Sequence, residues 1–172
     1  MRILAVALAV AHVAASALAA PVDDIADVLI QDAEKPAITQ DSLPADFARL
    51  TRFVRHDGGG MVLFTDGGST DGYVRHAMAH FDTRAAQGKG VQGVPLFLVA
   101  FELVDQPDFT FDGLSAALEQ RLGPPTTRSN QSGATFRTWQ LPQLEGRSLT
   151  VARAQASDNG DPITVAQIMQ NR

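Results

Sequence analysis

His76 and His80 stand four residues apart in a chain whose only other histidines are His12 and His56. On a helix, an i, i+4 pair puts both imidazoles on one face, within reach of a single Zn²⁺, Cu²⁺ or Ni²⁺. On a strand the same residues would also share a face, but about 13 Å apart at roughly 3.3 Å per residue, too far to chelate one ion as a pair. Weak divalent-metal binding by His76 and His80 therefore requires a helix, and a third ligand would come from His56, Asp57, Asp66 or Asp71. Ala77 occupies the glutamate position of H-E-x-x-H, so the general base of a metalloprotease is missing.

Three other stretches resemble chemical motifs and fail on context. Residues 88–93, GKGVQG, match G-x-G-x-x-G, but a dinucleotide fingerprint follows a strand and opens a helix, where free backbone N–H groups meet the pyrophosphate. Here a helical pattern precedes the glycines and Val94-Pro95 begins a strand, so no cofactor is expected. Residues 67–72, GGSTDG, approximate a nucleophile elbow, yet Asp71 stands where the second glycine belongs. Ser69, Thr70 and Asp71 then read as helix caps, and a hydrolase that recruits Ser69 with His76 or His80 is the remaining enzymatic alternative. Neither Asp66 with Asp71 nor the 157–161 stretch SDNGD has the spacing of a calcium loop. No residue is assigned a catalytic role.

The elements that must position these residues begin after a leader. Residues 1–19, MRILAVALAVAHVAASALA, carry one arginine, an apolar core and an A-x-A cleavage signature at Ala17 and Ala19. They read as a signal peptide, with the apolar run short of the roughly 20 residues of a membrane span, so no membrane insertion is expected after cleavage. His12 falls in the leader. With no cysteine, the chain has no disulfide, no lipoprotein anchor and no thiolate nucleophile. An exported protein of the bacterial periplasm or medium is expected, held by its core alone.

Charge is concentrated at the front. Residues 20–42 read as an acidic arm; the stretch 20–47 holds seven acids and one base, Lys35, while 48–172 hold twelve of each sign. A neutral body with an acidic lead-in argues against nucleic acid or an anionic membrane as partner. Within the arm, Ile25, Val28 and Leu29 have the spacing of one short helix.

Residues 43–172 read as a single α+β domain. Leu43, Phe47, Leu50, Phe53 and Val54 share one arc at helical spacing, as do Tyr73, Val74, Ala77, Met78, Phe81 and Ala85, so both segments are expected as amphipathic helices. The rival is a hairpin over RFVRH-DGGG-MVLFT with a third strand at YVRHAMAHF, because such turns are glycine-rich. Strands are expected at 61–66 and 94–104, a helix at 113–122 stopped by Gly123-Pro124-Pro125, and a polar loop at 124–134. Three strands at 135–141, 147–154 and 163–169 form an antiparallel meander, and Trp139 is expected to close the sheet against helix 113–122.

The expected architecture is thus two-layer α+β, a mixed sheet ending in a three-stranded antiparallel meander packed against two or three amphipathic helices. The expected role is a non-enzymatic exported binding or assembly module that recognises a protein or envelope component through a sheet face or edge.

Overall fold

The computed structural model describes residues 21–58, 61–69, 72–82, 96–155 and 162–170. The first element, α1 (Pro21–Ala33), opens with proline and with Asp23 and Asp24 in its first turn, where fixed φ and negative charge both favour a helix start. Its apolar stripe of Ile25, Ala26, Val28, Leu29 and Ala33 is buried. The acidic arm therefore contributes a helix to the core. Its carboxylates face a partner within the chain, since Arg121 bonds Asp23 at 2.9 Å and Asp27 at 2.6 Å.

A short helix α2 (Leu43–Asp46) leads into β1 (Thr51–Gly58), β2 (Met61–Ser69), β3 (Val74–Asp82) and β4 (Leu96–Leu103). Helix α3 (Phe111–Leu122) follows, then β5 (Thr127–Gln131), β6 (Ala134–Gln140), β7 (Arg147–Gln155) and β8 (Pro162–Gln170). All eight strands form one sheet in the order β1-β2-β3-β4-β8-β7-β6-β5, and every neighbouring pair is antiparallel. Four strands follow α1 and α2 in the first half and α3 in the second, each set a meander, and the halves join through β4 and β8 at the centre.

This overturns the expected mixed sheet with a three-stranded meander packed against two or three amphipathic helices. The arc from Leu43 to Val54 divides: α2 and the turn after it bury Leu43, Phe47 and Leu50, while β1 alternates Phe53 inward and Val54 outward. The expected helix around His76 and His80 is β3. Val74, Ala77, Ala79 and Phe81 are buried there, and a register shift between Val74 and His76 accounts for the broken alternation near its start. Over eight or nine residues, periods of 3.6 and 2 select overlapping residues, and for β3 pairing with β2 and β4 decides between them. The polar stretch expected as a loop supplies β5, an edge strand with no buried side chain and hence no apolar signal.

The remaining elements lie where the pattern placed them. β4 buries Phe97, Val99, Phe101 and Leu103, and α3 buries Phe111, Leu114, Ala117 and Leu118. Thr110 Oγ1 accepts the Gly113 N–H at 3.1 Å, and Gly123 at φ 80° ends the helix. Trp139 is buried, its Nε1–H donating to the Gly123 carbonyl at 2.9 Å. Helices α1 and α3 pack against each other and over β7, so one face of the sheet carries the core.

Candidate functional site

All three histidines of the described chain project from the other face of the sheet. His56 on β1 and His80 on β3 sit opposite Leu63 of β2 from its two sides, with Leu98 of β4 and Met169 of β8 continuing the row. The next row runs Val54, Thr65, Met78, Ala100, Gln167 and Thr150. His76 stands opposite Glu102. Among the described residues no helix covers this face. Val54, Leu63 and Met78 remain 46 %, 38 % and 44 % exposed, and together with Val104 they are the large apolar side chains left open among the described residues.

β3 sets the geometry of the histidine pair. As a strand it carries His76 and His80 on one face about 13 Å apart, with Met78 between them. Met78, expected in the core stripe, is exposed instead. His56 and His80 are two strand spacings apart, about 10 Å. Two nitrogens bound to one ion at about 2.1 Å each can be no more than about 4 Å apart. Among the described residues no group of three or more His, Cys, Asp or Glu is placed to hold a metal ion.

The candidate third ligands have other engagements. His56 Nε2 shares a 2.9 Å hydrogen bond with Thr65 Oγ1 across the strands. Asp57 pairs with Arg55 Nε at 2.9 Å on the helix-covered side. Asp66 accepts from the Thr51 hydroxyl and from the Gly68 N–H at 2.7 Å, which ties down the end of the β1–β2 hairpin. Gly67 is required there, because a Cβ would come within 2.9 Å of Val54 Cγ2 and 3.0 Å of the Arg52 carbonyl. Asp71 lies outside the described residues, as do residues 88–93 and 157–161 and the leader.

Ser69 Oγ accepts the Gly72 N–H at 3.0 Å, a turn contact ahead of strand β3 in place of the expected helix cap. A shallow depression of about 230 Å³ lies at the β5–β6 edge, lined by Arg128, Ser129, Asn130, Thr135, Phe136 and Arg137. Both of its arginines are committed to ion pairs, Arg128 with Glu119 at 2.8 Å and Arg137 with Asp112 at 3.1 Å.

Among the described residues, charged groups on the open-face positions belong to β1, β3 and β4. Arg52 shares the face of Val54 and His56 by strand alternation, and Arg75 pairs with Glu102 at 3.4 Å where the register shifts. The register also sets Asp82 of β3 two residues beyond His80, so acids as well as bases belong to this region of the sheet. The open-face residues of β5 to β8, such as Ser129, Phe136, Thr138, Thr150 and Gln167, are uncharged. This grouping was hidden in the sequence, because the residues lie on different strands and only the register gathers them.

No known family model matches the chain, and no curated protein or solved structure is detectably similar to it.

Proposed function

We propose that this chain is an exported, non-enzymatic binding or assembly module that recognises a protein or envelope component through the open face of its sheet. The observation that carries this reading is the asymmetry of the sheet: one face is filled by α1, α3 and the aromatic core, while the other leaves Val54, Leu63 and Met78 exposed side by side across β1, β2 and β3. Exposed apolar side chains gathered on a rigid surface favour association, because burial against a partner stabilises by roughly 25 cal/mol per Å². The edge strands are poorer docking sites. β5 is short and polar, and β1 carries Arg52 and Arg55.

The test is a photo-crosslinking residue placed at Met78, with one at Asp27 on the outer surface of α1 as control. In the native envelope or medium, a discrete adduct from position 78 and none from position 27 supports the reading. Equal labelling from both positions, or none from 78, overturns it. Export rests on the leader, and intact-mass measurement of the exported protein is expected to find Ala20 at the N-terminus.

A further inference from the structure

We infer that the open face of the sheet docks a second copy of this chain, the two sheets stacked face to face about a twofold axis that runs along the strands between β4 and β8. The inference rests on the sheet-face reading above and names the partner.

The first support is area. Eight strands about 4.8 Å apart, and a span of about 20 Å from Ile163 to Met169 of β8, give the face a flat footprint of roughly 700 Å². A standard protein interface takes about 800 Å² of accessible surface from each partner, and side chains standing on the sheet bring its accessible surface above the flat figure. A second sheet of the same width covers the whole of this face, whereas a single extended segment would leave most of it open. The other face is already filled by α1 and α3.

The second support is the distribution of charge. Among the described residues, the titratable open-face positions belong to β1, β3 and β4, and the open-face positions of β5 to β8 hold none. A copy turned about an axis along the strands sets its β1, β2 and β3 over β5, β6 and β7 of the first. Titratable groups of either sign then meet uncharged side chains. An axis across the strands would set β3 upon β3 and bring like groups together, which costs affinity. A closed twofold pair is also the commonest form of soluble oligomer, because one patch serves both copies.

The third support is the middle of the sheet. Leu98 of β4 and Met169 of β8 are register partners, and the turn lays Leu98 of each copy over Met169 of the other. Ala100 follows in the next row, small enough for two sheets to approach the usual spacing of about 10 Å. Glu102 enters already paired with Arg75 at 3.4 Å. Farther out, the exposed Val54, Leu63 and Met78 come to lie over the β5–β7 side, where Phe136 of β6 is half-buried.

The experiment combines sedimentation of the exported protein over a concentration series with NMR of a sample that mixes isotope-labelled and unlabelled copies. A dimer with a dissociation constant in the micromolar range is expected, with Met78 of one copy giving contacts to Thr150 or Ala152 of the other. Within one copy β3 and β7 lie three strand spacings apart, about 14 Å, so no contact inside a chain imitates this signal. Met78→Glu, changed at an exposed position, is expected to stay folded by circular dichroism and to weaken dimerisation at least about tenfold. The adduct from the crosslinker at position 78 is expected to have twice the mass of the chain. A monomer at every concentration overturns the inference, as does a dimer joined through an edge strand, through the helices, or by β3 upon β3. If position 78 then crosslinks a different protein, the sheet-face reading stands; if it crosslinks nothing, both fall.

Discussion

The guanidinium of Arg147 on β7 donates from Nη1 to the Ala33 carbonyl at 3.0 Å, joining the sheet to the last residue of α1. The same nitrogen reaches the Lys35 carbonyl at 2.8 Å, Nε reaches Gln170 Oε1 at 2.7 Å, and the group lies 4.9 Å from the Phe97 ring centre. Arg147 is only 1 % exposed, and burial lowers its proton affinity from the ordinary arginine value. Carbonyls at a helix C-terminus carry partial negative charge, so they serve this cation in place of a carboxylate.

Arg147→Met is expected to cost about 3 to 5 kcal/mol, because it leaves buried acceptors at Ala33, Lys35 and Gln170 without their donor and removes the contact with Phe97. Arg147→Lys is expected to recover little of this, since one ammonium cannot reproduce the planar fork. Urea unfolding followed by circular dichroism measures both. A loss below about 1 kcal/mol in the Met variant would remove the pin from the account of the fold.

Ser115 is fully buried in α3, and its hydroxyl has no hydrogen-bond partner among the described residues. Ser115→Ala is expected to raise stability by about 1 kcal/mol, through relief of the unmet desolvation cost and better helix propensity. A destabilised variant would mean that the hydroxyl has a bonded role.

Asp32, Lys35 and Asp46 give stability a pH signature on both sides of neutral. Lys35 bonds Asp32 at 2.6 Å and Asp46 at 2.7 Å. Burial opposes the lysine's charge, but the two carboxylates outweigh it and raise its pKa above the ordinary value. Its contribution is therefore complete below the unfolded value of about 10.4 and is lost as the pH rises through the higher folded value. Asp32 moves in the same direction for another reason: burial of its carboxylate raises its pKa despite the lysine beside it. The folded state then binds the Asp32 proton more tightly than the unfolded state does, so this group favours folding in acid and the benefit fades as the pH climbs above about 3.8. Asp32→Asn is expected to remove the acid-side term and Lys35→Met the alkaline loss, as measured by unfolding midpoints from pH 3 to 11.

Trp139 is the only tryptophan, so its emission reports on the closure of the sheet against α3. Trp139→Phe is expected to cost about 1 to 3 kcal/mol, because it leaves the Gly123 carbonyl without its donor and vacates part of the indole site. In the unaltered protein a single cooperative red shift on unfolding, coincident with loss of circular dichroism, is the expected record. Separate transitions would show that the two halves unfold independently.

Zn²⁺ titration of the protein and of His76→Ala/His80→Ala is expected to give the same heats, because a strand sets the two residues about 13 Å apart along the backbone. One equivalent bound by the unaltered protein and lost in the variant would require a geometry other than β3.

Local pattern determined much of this protein: the central strand β4, helix α3 with its glycine stop, the final meander β6 to β8, and the place of Trp139. Each is long or strongly apolar, or is bounded by turn residues, so its period and limits are written in neighbouring positions. Only the tertiary structure decided that β1 and β3 are strands, that polar β5 completes the sheet, and that α1 belongs to the core. The alanine-rich stretch of β3 satisfies a helical stripe as well as an alternating one, and its pairing with β2 and β4 is non-local. The same pairing turned a supposed chelating pair into part of an open face, because a residue's period states which neighbours share its side, while the register across strands states which distant residues stand beside it.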